Sequence, residues 1–420
     1  MGFITRLEKN NFPAPSHTTL WMIFLVLAAG LWAASTLAAP ATLTPTSLAR
    51  RSEDELGSLV LAIKAQDDVN DPDDLTVAST IINTGNTTLK LLNDPNGPLS
   101  TWKTYTFKFY KVSAGGTRKR ATGSTVGVNA VRVKYNPDVA ASLSNPNAYT
   151  ILKPGENKTV VHDLSGMYHF QTTGAYEVRA TSNAEWFRVV KDDGSVGYVK
   201  AKIYDGHEAA NWTATHINES GTYASMRGLI SAGIPNHPLA RRWEENTGLA
   251  KREVYKNCSA MQEKDILHGI AGANSYITQS IQFLANSYYL GNSRYRTWFG
   301  PYEKKRWGTV ARHFALLHGQ PPRFRYDCSC TEEDTFAYVY PDQFGTVYLC
   351  GGFWRAPVMG KDSRAGTIIH EATHFTQIVG TDDYAYGHEE AQKLAINFPD
   401  QAIMNADSHE YFAENDPEIV

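Results

Sequence analysis

The sequence predicts a multidomain chain. An N-terminal all-β, sandwich-like unit spans about residues 52–225, and a mainly α unit with a small β-sheet spans residues 253–420. A length of 420 residues exceeds that of one ordinary domain. The first half alternates short β-branched runs with Gly, Asn, Asp and Pro turn signals, whereas the second carries apolar residues at helical spacing. All four cysteines (Cys258, Cys328, Cys330 and Cys350) fall in the second half.

Residues 1–41 have the layout of a secretory signal. Arg6 and Lys9 precede an apolar run from Leu20 to Trp32, and small residues follow from Ala33 to Ala41. The same run, extended, is long enough to act as a signal anchor. Sequons at Asn86, Asn157, Asn211 and Asn218 fit the secretory route, and so does an even number of cysteines. The expectation is a secreted, extracellular monomer with no stable membrane association once the signal is removed. A formal net charge of -3 and basic runs as short as Arg118-Lys119-Arg120 give no sign of a nucleic-acid partner.

In the first unit, Leu75–Ile82, Trp102–Tyr110, Lys158–Leu164 and Tyr176–Ala180 carry the strand pattern, with turns at Asn83–Asn86 and Asp94–Gly97. Such punctuation indicates an antiparallel sandwich. No catalytic cluster is visible there, and His162 and His169 read as core or surface residues. Residues 226–252 read as a linker ending in the dibasic pair Lys251-Arg252, a processing site whose cleavage would release all four cysteines in one piece.

The second unit opens with a helix over Ala260–Leu290, with apolar residues at Ile266, Ile270, Ile277, Ile281 and Leu284. A second helix is expected at Thr309–Leu317. A hairpin is expected from Phe336–Tyr340 and Thr346–Cys350 around Pro341–Gly345, and its edge could accept a peptide backbone. Ser363–Gln377 should be helical with Asp362 or Ser363 as N-cap, followed by helices at His388–Asn397 and Ser408–Asn415.

The chemistry concentrates in His370-Glu371-Ala372-Thr373-His374, an H-E-x-x-H motif. On a helix, positions i and i+4 share a face, so both imidazoles reach one metal ion while Glu371 stands beside them as a general base. Catalytic zinc takes three protein ligands. A metzincin would need Gly and His at positions 377 and 380, which are Gln377 and Gly380 here. Glu389, Glu390 and His388 are available on the next helix. Asp383 fits better on local grounds, since a turn at Gly380 would bring a short carboxylate back beneath the histidines.

Gly380-Thr381-x-Asp383-x-x-Tyr386-Gly387 resembles the signature of the deuterolysin family, the aspzincins, in which the aspartate is the third ligand. From Cys258 onward the chain is similar to the fungal peptidyl-lysine metalloendopeptidases of that family. The likeness is carried by Arg296–Gly300, Phe336–Pro341, Phe344–Cys350 and Met404–Asp407. It implies a zincin-type metallopeptidase domain preceded by a propeptide, and one zinc ion per chain held by His370, His374 and Asp383. It also implies disulfides Cys258–Cys328 and Cys330–Cys350, each stabilising by about 2–4 kcal/mol.

Glu371 is then the base toward water, and the Tyr386 phenol a donor to the developing oxyanion. Asp407-Ser408-His409-Glu410 by itself has the form of a helix start, with Asp407 as N-cap and Glu410 at N3. The resemblance instead implies that Asp407 and Glu410 line a pocket for the lysine after the cut bond. A compact ammonium would suit two converging carboxylates better than the wider fork of arginine. The expected partners are protein and peptide substrates and the chain's own propeptide. Broad deuterolysin-like specificity is the alternative, and an anchored cell-surface binding protein with a secondary peptidase domain is a more distant one.

Overall fold

A computed structural model describes residues 58–66, 68–111, 126–143, 145–171, 173–204, 223–226, 254–287 and 292–419. The leader over 1–41, the linker over 226–252 with Lys251 and Arg252, and the sequons at Asn211 and Asn218 lie outside them. Asn86 and Asn157 are exposed.

The N-terminal part is built on two sheets. Seven strands run in the order Tyr149–Leu152, Leu89–Leu92, Trp186–Val190, Val196–Ile203, Leu59–Ala65, Thr76–Asn83, Asn157–Asp163. Four more follow the order Asp68–Val69, Tyr223–Met226, Gly174–Ala180, Phe107–Lys111. Alternation along each strand sends one set of side chains inward. Leu61, Val77, Ile81, Val189 and Val199 of the larger sheet share a core with Phe107, Phe109, Tyr176 and Val178 of the smaller one. The expected sandwich needs two corrections. It is not purely antiparallel, because Leu59–Leu61 pairs in parallel with Ala201–Ile203. Its strands are also more numerous than the alternation suggests, since Leu59–Ala65 opens with five consecutive apolar residues, Leu59–Ile63, rather than an alternating pattern. His162 is buried with Nε2 2.8 Å from the Ser79 hydroxyl, a core role.

The C-terminal part is mainly α. Ser259 caps the Ala260–Asn286 helix in a reciprocal capping box with Gln262. Ile266, Ile270, Ala273, Ile277 and Leu284 form its buried stripe. Gly269 and Gly272 let it approach the Arg364–His374 helix closely. A Cβ at 272 would stand 2.9 Å from that of Ala365, and one at 269 would stand 3.0 Å from Ile368. The second helix begins at Lys304 rather than Thr309, because the Glu303 carboxylate accepts from the Lys305 and Arg306 N–H groups. A further helix, Ser293–Phe299, escaped the periodicity reading because it is only 7 residues long. The disulfides Cys258–Cys328 and Cys330–Cys350 are both formed.

The hairpin Thr335–Val339 and Thr346–Leu349 belongs to a five-stranded sheet, in the order Tyr255–Lys256, Arg325–Asp327, Thr346–Leu349, Thr335–Val339, Arg132–Tyr135. The last strand comes from the N-terminal half. Two self-contained units were expected; instead one strand of the first completes the sheet of the second. Asn136 ends that strand by capping the short Pro137–Ser142 helix.

Gly300 joins two C-terminal helices at φ +79° and ψ -168°, a region open essentially to glycine, and a Cβ there would lie 2.2 Å from the Ala395 carbonyl oxygen. Gly300→Ala should cost at least about 1–3 kcal/mol from backbone strain alone. A marked fall in melting temperature is the expected reading, and an unchanged melting temperature would contradict it.

Candidate metal centre and lysine pocket

The motif helix runs Arg364–His374, with Ser363 as N-cap accepting from the Gly366 N–H. It stops three residues earlier than expected. Phe375 leaves helical geometry, and the Thr376 N–H donates to the Pro341 carbonyl instead. Its start is fastened from outside: the Glu414 carboxylate accepts from the Ser363 N–H (2.8 Å), the Ser363 hydroxyl (2.7 Å) and the Asp362 N–H (3.1 Å). Gly366 is what admits that carboxylate, since a Cβ there would overlap Glu414 Oε1.

After the helix the chain turns at Gly380, at φ +74°. The Gly380 and Thr381 N–H groups both donate to the Thr373 carbonyl. This returns Asp383 to the histidines. Its Oδ1 lies 3.2 Å from His370 Nε2 and 3.3 Å from His374 Nε2, and the two Nε2 atoms are 3.1 Å apart. Donors about 2.0–2.1 Å from zinc at tetrahedral angles lie about 3.3 Å apart, so this triangle fits a zinc ion. Asp383 Oδ1 is buried without a hydrogen-bond partner among the described residues, as an atom reserved for a cation would be. Burial opposes its charge, but His374 and His370 prevail and hold its carboxyl well below the ordinary value.

The far side of each imidazole is also held. His374 Nδ1 is 3.0 Å from the Thr381 carbonyl oxygen, which only accepts, so the proton sits on Nδ1 and Nε2 is left as a donor atom for metal. His370 Nδ1 lies 2.8 Å from Asp407 Oδ1 and 3.3 Å from Glu410 Oε2. Its N–H is not aligned for a regular hydrogen bond to either. The other third-ligand candidates are elsewhere. Glu389 and Glu390 pair with Lys393. The His388 ring packs on Tyr411 at 4.0 Å and on Trp298 at 5.0 Å.

Glu371 is fully buried beside the triangle, and neither carboxylate oxygen has a hydrogen-bond partner among the described residues. Burial pushes its carboxyl up to about 8. Tyr386 is buried too. Its hydroxyl donates to the Val133 carbonyl at 2.8 Å and accepts from Asn96 Nδ2 at 2.6 Å.

Asp407 and Glu410 stand on the helix Ala406–Glu414. The capping-box form does not hold, because Asn405 occupies the N-cap position and frees both carboxylates to point inward. They converge on one ammonium. Lys134 Nζ lies 2.9 Å from Asp407 Oδ1, 2.8 Å from Glu410 Oε2 and 3.8 Å from Asp362 Oδ1. All of this is sealed: Lys134, Asp407 and Glu410 are 0% exposed. Burial disfavours the ammonium, yet Asp407, Glu410 and Asp362 outweigh it and hold the lysine well above its ordinary value. Asp407 is correspondingly lowered to about 2, since Lys134 prevails over burial, while burial raises Glu410.

Two residues of the site were not singled out by sequence reasoning. Asn405, inside the matching run Met404–Asp407, latches the loop that carries Asp383 through its side-chain oxygen, which accepts from the Tyr384 and Ala385 N–H groups at 2.9 and 3.0 Å. Lys134 lay in the half with no visible cluster; the signal that could have found it is a lone lysine in a β-run, Arg132-Val133-Lys134-Tyr135.

A family model described as "Lysine-specific metallo-endopeptidase", the aspzincins, matches residues 285–414. The chain is 39% identical to the peptidyl-Lys metalloendopeptidase of Armillaria mellea over 362 residues, 86% of this chain and 92% of that one. It is 37% identical to the enzyme of the same name from Grifola frondosa, over 86% and 93%. Among solved structures, a zinc peptidase from Grifola frondosa is 46% identical and covers 39% of this chain and 100% of its own, at a TM-score of 0.37.

Metal analysis of purified protein tests the triangle directly. The wild type should carry close to one zinc per chain, and His374→Ala or Asp383→Ala close to none. Full zinc occupancy in Asp383→Ala would remove this carboxylate from the ligand set.

Proposed function

This chain belongs to the aspzincin family of zinc metalloendopeptidases, and from that premise we propose that it hydrolyses peptide bonds on the amino side of lysine. It acts on peptide or protein substrates and its cofactor is zinc. One observation carries the lysine preference: two buried carboxylates, Asp407 and Glu410, meet at an ammonium with contacts of 2.9 and 2.8 Å. An acidic side chain there would meet like charge in a dry pocket, and an apolar one would leave both carboxylates without a cation between them.

His370, His374 and Asp383 are the residues that would hold the ion. When bound, zinc supplies Lewis acidity, which polarises a carbonyl and makes water nucleophilic near neutral pH. Glu371 takes a proton from the attacking water and returns it to the departing amine. Its carboxylate is buried beside the histidines with both oxygens unpartnered among the described residues, which leaves it free for those two transfers. The Tyr386 hydroxyl donates to the carbonyl oxygen as negative charge builds there. Thr381 keeps the His374 ring in one tautomer, and Asp407 faces the outer nitrogen of His370. The leader-like N-terminus and the sequons support secretion, and Lys251-Arg252 is the proposed site at which the N-terminal half is cut away.

Digestion of a denatured protein containing both lysine and arginine, with peptide ends read by mass spectrometry, tests the reading. Peptides should begin with lysine, vanish on chelation and return with zinc. Mixed ends would keep the peptidase and discard the pocket, leaving the broader deuterolysin-like specificity.

Glu371→Gln should retain zinc and lose about 10²–10⁴-fold in kcat, the usual contribution of a general base. Normal turnover in that variant would displace Glu371 from its role. Asp407→Asn perturbs the pocket and His370 together. Glu410→Gln is therefore the cleaner pocket variant, with lysine-site cleavage falling and zinc content unchanged. An unaltered lysine preference in both would sink the assignment.

A further inference from the structure

Among the described residues Lys134 is the one fully buried lysine, and the pocket that buries it belongs to the other half of the chain. The strand that carries it, Arg132–Tyr135, has its backbone laid antiparallel along Thr335–Val339, with Arg132 opposite Val339, Val133 opposite Tyr338 and Lys134 opposite Ala337. Peptides bind to sheet edges in this way, with main-chain bonds supplying affinity and side-chain pockets supplying specificity.

The contacts around the Val133–Lys134 amide match those a peptide undergoing cleavage would need. Its carbonyl oxygen accepts from the Tyr386 hydroxyl at 2.8 Å. Glu371 is buried on the motif helix that packs against this strand, with both carboxylate oxygens unpartnered among the described residues. The Val133 N–H donates to Asp383 Oδ2 at 3.2 Å, the oxygen turned away from the histidines. The lysine side chain ends between Asp407 and Glu410. One residue earlier, Arg132 Nε lies 2.9 Å from Asp382 Oδ1. Tyr386, Asp383, Asp407 and Glu410 therefore all meet a single dipeptide.

We propose that residues Arg132–Tyr135 are a tethered substrate mimic: they fill the peptide cleft in cutting register, with Val133–Lys134 as the presented bond, and exclude other peptides until the N-terminal half is removed. The inference rests on the lysine-pocket reading above and adds to it a named occupant. It also assigns Asp382 as the contact for a basic side chain two places before the cut bond.

The test uses the full chain with Lys251-Arg252 changed to Ala-Ala, so that both halves stay joined. Amine acetylation followed by mass spectrometry, with metal bound and with metal stripped, reads Lys134 without reference to activity. Lys134 should react at least 10-fold more slowly than Lys153, whose side chain is 71% exposed. Lys134→Gln should raise turnover of a short lysine-containing peptide at least 10-fold over the joined parent, and Arg132→Ala should raise it by a smaller factor. In the Lys134→Gln protein, a synthetic peptide of residues 129–138 should compete with that substrate, and the same peptide with norleucine at the lysine should not. Lys134 labelling as fast as Lys153, or joined variants no more active than the parent, would overturn the tethered strand. If digestion by the processed enzyme still yields lysine-ended peptides, the pocket reading survives that loss; if it yields mixed ends, the pocket reading is what failed.

Discussion

The site depends on three carboxylates buried along one face of the last helix. Asp407, Glu410 and Glu414 are spaced by three and four residues, so they project together toward the motif helix. A buried carboxylate left unpaired costs several kcal/mol, so each must find a donor or a cation. Glu414 finds the N-terminus of the motif helix and fixes where it begins. Asp407 finds the Gly387 N–H at 2.7 Å, the outer side of His370 and an ammonium. Glu410 has only the ammonium and the edge of the same imidazole. One helix therefore sets the start of the motif helix, steadies His370 and leaves a deficit of positive charge that Lys134 fills.

That arrangement couples two properties often treated as separate. The carboxylate that faces His370 is also the one that holds the Lys134 ammonium. The Lys134 charge is felt at His370 through Asp407, over contacts of 2.9 and 2.8 Å. Recognition and ligand basicity draw on the same oxygen atom, so substituting it cannot alter one alone.

Much of the site was legible because its parts are local in sequence. His370, Glu371 and His374 share one helical face, and Gly380 announces the reversal that returns Asp383. The helices Ala260–Asn286 and His388–Asn397 were legible by period, and the hairpin by its turn residues. Asp407 and Glu410 were ambiguous, because an acidic residue three positions before another reads equally as a cap; only Asn405 holding the cap position decides it. Lys134 was illegible for a different reason. A four-residue strand with alternating side chains looks the same whether it pairs within its own sheet or with one formed some 200 residues later (Thr335 opposite Tyr135). Periodicity reports which face is buried and says nothing about against what.

The five-stranded sheet has the two ends of its order supplied very differently. At one end, Tyr255–Lys256 lies next to Cys258, whose disulfide to Cys328 fastens it covalently. At the other, Arg132–Tyr135 is held only by pairing and by its side chains. While the second is in place, the edge of Thr335–Val339 is paired and offers no free backbone groups to another chain. An uncovered strand edge is a template for pairing with another chain, and this one is covered. Loss of the loosely held strand opens one flank and leaves the other stapled. On the proposed removal, the edge bared for peptides would also be an edge open to self-association, so solubility and readiness to work would be traded at a single strand.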